Sequence, residues 1–455
     1  MAAIESEKWP KRSGGGFAAR CVIAMTPPAR TSAAIEVLAD IEGRRRPAPD
    51  ALKDWGLSHR FAGSGDRAMI ASLVYDALRR RASAAWVMGA ATPRAVLLGT
   101  LLLQRGRRPE EIAALFSGDR FAPAPLTKAE SAALATGALD DAPPHVAGDF
   151  PDWITPSLER GFGADLVAET RALATRAPLD LRVNTLRSDR DAVASELSHL
   201  APQSTPYSPW GLRLALGEDG RGPSVQSDPA FIRGEFEIQD EGSQLAALLS
   251  GAKPGEVIVD LCAGGGGKTL ALAAMSAGES RVYATDSDPR RLAPIHARLE
   301  RAGAAHVEVR TQRGRVDPIA DLEGAADLVF VDAPCTGSGT WRRNPDSKWR
   351  LRPGSLANRV KEQATVLDRA ARLAKPGGRI AYVTCSVLPE ENDDAVEALL
   401  ARRPGLAVAD PRTAPERAGL PRLAGAVRFT TCGLQMTPLR TGTDGFYVAI
   451  LRRGA

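Results

Sequence analysis

Between Thr31 and about Leu115 apolar residues recur at helical spacing, Ala34, Leu38 and Ile41 first and then Met69, Leu73 and Leu78, with none of the alternation that a strand gives. The pattern predicts an all-helical domain over 29–145. The GSGD segment at 63–66 offers Asp66 as N-cap of a helix running into Arg79, Arg80 and Arg81. Those arginines suit the carbonyl end of a helix as well as they suit a phosphate backbone. Pro-rich punctuation at 122–125 and 142–144 frames a short helical connector. Residues 1–28, with a Gly triplet, basic residues and a Pro pair, cannot bury much and are expected to form a disordered tail. Met25, close to where the helical pattern begins, is a candidate start.

Further along, 146–235 mixes helices with short strands at 179–186 and 212–216, which predicts a small α/β connecting subdomain. After Phe236 the texture becomes alternating strand and helix. Runs rich in β-branched residues at 257–261, 281–285, 307–310, 328–331 and 379–383 are separated by helical stretches, so 236–455 is expected to form a doubly wound parallel sheet closed by an antiparallel hairpin. A helix at 356–374 sets Leu356, Val360, Ala364, Leu367 and Ala371 on one face, the stripe a crossover helix needs.

Length and composition agree with this division. At 455 residues the chain exceeds what one core usually organises, and 44% hydrophobic with 25% charged residues is ordinary for globular domains. A net charge of +5 and arginine clusters at 44–46, 79–81, 105–108 and 342–343 could neutralise phosphates or simply be solvated surface. Five scattered cysteines have neither disulfide nor metal-ligand spacing, so a reducing cytoplasm and no metal site are expected. No apolar run reaches the roughly 18 residues of a membrane span. A monomer without membrane attachment is the expectation.

The chemistry begins at the first strand of the last domain. It runs into CAGGGGKT, Cys262, Ala263, Gly264, Gly265, Gly266, Gly267, Lys268 and Thr269, a turn whose backbone can approach a nucleotide-like ligand at a helix N-terminus. A P-loop would need Gly where Cys262 stands. About twenty residues on, Asp286 ends the second strand, placed to bind two ribose hydroxyls. Loop and acid alone fit nicotinamide dehydrogenases and methyltransferases equally; Asp288 reads as a helix cap.

Two later strands narrow the choice. DLVFVDAPCTGSGTWRRNPDSKW delivers Asp332, Pro334 and Cys335 to the ligand-binding edge, and RIAYVTCS brings Thr384, Cys385 and Ser386 to the end of a neighbouring strand. Two thiols would then face one crevice. Such thiols suit methylation of cytosine at C5, a carbon that is not nucleophilic until a thiolate adds at C6 and turns the ring into an enamine. A second acid/base group would assist loss of the C5 proton and expulsion of the thiol. A free thiol titrates near 8.5, so positive charge is needed nearby; Lys268, Arg342, Arg343 and Lys348 are candidates. The stretch 341–352, with Trp341 and Trp349 among five basic residues, reads as a single-stranded RNA contact or as a loop whose tryptophans enter the core. An exocyclic-amine methyltransferase would need no thiol.

On DLCAGGGGKT at Asp260, DAPCTGSGTWRRNPD at Asp332 and YVTCSVLPEEND at Tyr382, the sequence resembles the rRNA small subunit methyltransferase B family, within the Sun/nucleolar-protein group of RNA 5-methylcytosine methyltransferases. LRVNTL at Leu181, QDEGSQL at Gln239 and DGFYVA at Asp444 extend the likeness over nearly the whole chain. The resemblance implies a Rossmann-like α/β core that binds S-adenosyl-L-methionine on 262–268 and Asp286. It also implies an N-terminal RNA-binding domain like NusB, and RNA, small-subunit ribosomal RNA above all, as substrate. It makes Cys385 the nucleophile and Cys335 the group that assists product release, and sets Asp332 against both cofactor and target base. DNA cytosine methyltransferases reverse the two thiols, but their glutamate-asparagine-valine motif is missing here. Two departures stand out: Gly264 and Gly265 replace the family's alanine-proline, and Gln312 and Arg313, with Asp317 later, stand where an adenine-contacting Asp is usual. Transfer RNA as substrate, or a catalytically silent RNA-binding or assembly factor, are the alternatives.

Overall fold

The computed structural model describes residues 24–217, 220–312, 314 and 316–454. The predicted tail lies outside them as far as residue 23. Its boundary at 28 falls inside the first helix, Pro27–Arg44, because the Thr26 hydroxyl caps the Ala29 amide and Pro27 and Pro28 occupy first-turn positions that need no amide.

Helices Pro27–Arg44, Ala48–Ser58, Ser64–Arg79, Arg81–Met88, Pro93–Leu103 and Pro109–Leu115 pack around one apolar core that includes Val37, Ile70, Val74, Leu97 and Leu98. The expected cap at Asp66 is corrected: Gly63 is the N-cap, and Asp66, three residues on, reaches back to the Gly63 amide. The Asp66 carboxylate also accepts from the Met25 amide and the Arg30 guanidinium, so it ties the chain entry to the domain.

A four-stranded antiparallel sheet follows, in the order β2-β3-β1-β4, from β1 (Leu179–Val183), β2 (Gln203–Ser204), β3 (Gly211–Leu214) and β4 (Phe236–Ile238). The expected boundary at 235/236 is one strand early, because β4 pairs with β1 through Val183 and Phe236 and buries Phe236 in the small sheet's own core.

The large sheet runs β11-β12-β13-β9-β8-β5-β6-β7, from β5 (Val257–Asp260), β6 (Arg281–Ala284), β7 (Glu308–Val309), β8 (Ala326–Asp332), β9 (Ala374–Thr384), β10 (Leu406–Val408), β11 (Arg428–Phe429), β12 (Leu434–Met436) and β13 (Phe446–Arg453). Strands β5 to β9 are parallel; β13 lies antiparallel to β9 and takes β12 and β10 along its other edge. The near-continuous apolar runs in β5 and β8 follow from burial on both faces. Ile258, Leu328 and Phe330 enter one core, while Val257, Val259, Val329 and Val331 enter the other. The crossover helix Pro353–Leu373 covers the second face with Leu367, Ala370 and Ala371. Leu356, Val360 and Ala364 of the expected stripe are only half-buried, and Leu356 packs against the separate cluster that holds Phe150 and Trp341.

Candidate active site

Register sets the site. Asp260 at the end of β5 lies level with Ala284 of β6 and Phe330 of β8, and Asp332 of β8 lies level with Val383 of β9. The loops after four adjacent strands therefore open on one edge. The sheet grows from β5 through β6 to β7 on one side and through β8 to β9 on the other, so a crevice forms where the direction of winding changes.

On one side of the crevice the loop after β5 turns into helix Gly267–Met275. Gly266 caps that helix at φ 84°, and a Cβ there would lie 2.4 Å from Cγ1 of Ile295, so only glycine fits. The first-turn amides of a helix have no partner within it and face any ligand placed at the turn. Gly264 donates to Oδ2 of Asp286 at 3.0 Å, and Asp288 donates to Oδ1 at 2.9 Å, which fixes the Asp286 carboxylate at the rim. Asp288 itself caps the next turn through the Arg290 amide. Asp260 is fully buried; Oδ2 accepts from the Thr269 hydroxyl at 2.7 Å, while among the described residues only the Cys262 amide comes near enough to act on the other oxygen. Burial pushes its carboxyl up to about 7. A buried carboxyl at the end of β5, a fixed carboxylate after β6 and the first turn of a helix between them fit a nucleoside that carries a charged amino-acid tail. Beyond β7, Gln312 is exposed and its amide donates to the Gly314 carbonyl, while Asp317 pairs with Arg369, so neither is set to hold an adenine. Arg313 lies outside the described residues.

On the other side Cys335 follows β8 and Cys385 follows β9, with their Sγ atoms 3.2 Å apart. Lys268 donates from Nζ to Oδ2 of Asp332 at 2.7 Å. Burial alone would lower the ammonium, but Asp332 and, less strongly, Cys385 hold it above the ordinary lysine range. The Cys335 thiol is pushed well up, first by its contact with Cys385, then by burial and by the charges of Cys385 and Glu391.

Of the four cations expected to polarise a thiol, only Lys268 stands there. Arg342 and Arg343 are consumed by Asp240 and Asp444, and Lys348 is buried with Nζ on the Arg79 carbonyl at 3.0 Å. The single-stranded RNA reading of 341–352 is corrected on the same ground. Trp341 is buried beside Phe150 and Leu158, and the Trp349 indole donates to the Leu78 carbonyl at 2.6 Å, so the segment joins the helical domain to the sheet. Arg79 and Arg105 likewise share the buried Asp76.

Sequence reasoning assigned nothing to Glu391, which is buried behind both thiols, or to Gln363 beside it. The sequence carried little signal for Glu391, because it stands among other acids, with Glu390 before it and Asp393 and Asp394 after it.

A Rossmann-like crevice with a glycine loop at one end and paired thiols at the other defines the protein as an S-adenosyl-L-methionine-dependent methyltransferase. The profile of the family described as 16S rRNA methyltransferase RsmB/F matches residues 247–452, and that of its ferredoxin-like domain matches 150–219. The probable ribosomal RNA small subunit methyltransferase B of Synechocystis sp. is 33% identical over 315 residues, 67% of this chain and 67% of that protein. The ribosomal RNA small subunit methyltransferase B of Sodalis glossinidius is 35% identical over 302 residues, 66% of this chain and 64% of its own. The chain thus spans about two thirds of the length of the curated relatives it matches. The solved structure of PH0851 shares the fold at a TM-score of 0.67 and 24% identity, over 94% of this chain and 99% of its own. The chain belongs to the RsmB/F methyltransferase family.

Proposed function

We propose that the protein methylates carbon 5 of a cytosine in RNA, with small-subunit ribosomal RNA the substrate, through a covalent bond between Cys385 and C6 of the base. The observation that carries this reading is the pair of thiols, 3.2 Å apart, at the mouth of the crevice. An amine or oxygen methyltransferase has no use for them.

S-adenosyl-L-methionine, when bound, supplies an electrophilic methyl group. The loop 262–268 and Asp286 would hold it at one end of the crevice, and the target base would enter beside Asp332. Lys268 is the cation electrostatically coupled to Cys385. As Sγ bonds to C6, the C5–C6 electron pair becomes nucleophilic at C5. Once C5 carries the methyl group its proton leaves, the C5–C6 double bond reforms and Sγ departs from C6. Cys335, protonated and in contact with Cys385, is placed to give its proton to the departing Cys385 sulfur and, as the thiolate so formed, to take the proton that leaves C5. The division of labour between the thiols follows the family resemblance. The helical domain over 29–145 would hold flanking RNA, as the likeness to NusB implies.

The test is bisulfite sequencing of total RNA from cells with the wild-type chain, without it, and with Cys385→Ala. Loss of one protected cytosine in small-subunit ribosomal RNA in the last two supports the proposal. A change confined to transfer RNA would keep the chemistry and move the substrate. No change in any RNA would leave a silent RNA-binding factor as the better reading.

A further inference from the structure

The two thiols are chemically identical side chains in one crevice, yet the reaction needs one to attack as the thiolate and the other to stay protonated until the adduct collapses. What makes them different is visible behind them. Glu391, in the turn Pro389–Glu391, is fully buried and none of its carboxylate contacts is to a charged partner. Oε1 accepts from the Thr336 amide at 2.7 Å and from Nε2 of Gln363 at 3.2 Å. Oε2 accepts from the Thr336 hydroxyl at 2.5 Å and from the Ser386 hydroxyl at 2.5 Å. Four donors fill the four acceptor sites of an ionised carboxylate. Thr336 follows Cys335 and Ser386 follows Cys385, so one carboxylate grips the residue next to each thiol.

Other bonds close the frame. Gln363 also donates to the Pro334 carbonyl at 2.9 Å, the Gly339 amide donates to the Cys385 carbonyl at 2.9 Å, and Ser338 and Ser386 share a hydroxyl contact at 2.9 Å. The clamp is not symmetric in charge. The Glu391 carboxylate acts on Cys335, whereas the Lys268 ammonium acts on Cys385.

We propose that Glu391 is a positioning residue that clamps the residue after each cysteine and fixes which thiol attacks the base and which stays protonated until release. The proposal rests on the covalent reading above. It deepens that reading by assigning the asymmetry to a residue that touches neither the base nor the methyl donor. A glutamine at 391 keeps the shape but sets an N–H₂ group against donors, so at least one of the two loops must let go.

The experiment uses the full chain and has two readouts. In the first, which needs no RNA, the protein is pulsed with iodoacetamide and the modified cysteines are mapped by peptide mass spectrometry. Wild type should label Cys385 at least tenfold faster than Cys335, and Glu391→Gln should bring the two rates to within about threefold, with Glu391→Asp between them. In the second, turnover on transcribed small-subunit rRNA should fall at least tenfold in Glu391→Gln, with S-adenosyl-L-methionine affinity and circular dichroism within error of wild type. Unchanged relative labelling in a folded Glu391→Gln protein would overturn the clamp. So would a labelling difference lost only in proportion to unfolded protein. If wild type itself transfers no methyl group to any RNA while the labelling asymmetry behaves as described, the covalent reading fails and the clamp stands.

Discussion

Lys348 offers a quantitative check on how the helical domain is joined to the sheet. Its ammonium is almost completely buried and donates to one carbonyl, that of Arg79 at 3.0 Å. Burial lowers it from 10.5 to about 7, and Asp149 nearby only partly offsets this. A lysine whose folded value lies below its unfolded value binds fewer protons folded than unfolded between those two values. Stability therefore falls as pH drops from about 10.5 to about 7 and is flat below. At pH 7 the cost is about 4 kcal/mol, from roughly 3.5 units at about 1.4 kcal/mol each less the half-occupied last step. Lys348→Met removes that cost but leaves the Arg79 carbonyl without its donor, at about 1–3 kcal/mol. At pH 7 the first effect wins, and the variant should be more stable by about 1–3 kcal/mol. At pH 10 the cost in wild type has shrunk to about 1 kcal/mol and the lost hydrogen bond wins, so the order inverts. Thermal melting of both proteins from pH 6.5 to 10 reads this directly, because subtracting one curve from the other removes every other titrating group. A difference in Tm that stays constant over the range, or a variant less stable throughout, would refute the reasoning.

Other substitutions probe the crevice. Cys385→Ala should abolish methyl transfer while S-adenosyl-L-methionine affinity, measured by calorimetry, stays within about twofold; Cys335→Ala should instead accumulate a covalent RNA–protein species on a denaturing gel. Gly266→Ala, at φ 84° and with its new Cβ against Ile295, should weaken cofactor binding more than tenfold, about 1.4 kcal/mol or more. Gly264→Ala, at φ 49° but with its Cβ no closer than 3.6 Å to Arg291, carries backbone strain without the clash and should cost less, so that a larger loss there would sink the steric account. Lys268→Met strips both Asp332 and Cys385 of their cation, and turnover measured on transcribed rRNA should fall by one to two orders of magnitude.

Much of this was legible in the chain because it depends on local rules. Short apolar, β-branched runs marked β5, β6 and β8, a period of 3.6 marked the helices of the first domain, and the glycine run after β5 could only be a turn of unusual backbone. The motifs at Cys335 and Cys385 announced themselves because each ends a buried strand. Their meeting at 3.2 Å, however, depends on β8 and β9 being parallel neighbours in register, which no local pattern encodes. The basic segment 341–352 was ambiguous for the same reason: composition counts charges, but only packing decides whether Arg342 meets a phosphate or the carboxylates of Asp240 and Asp444, about a hundred residues away in either direction. The boundary at β4 depended on long-range pairing in the same way. A carboxylate such as Glu391 takes its role wholly from groups that three separate stretches of chain bring to it. Sequence thus determined the elements and the chemical types available, and tertiary structure decided which thiol, cation and acid share a site, because hydrogen bonds and charges act over a few ångströms of space however far apart their owners lie along the chain.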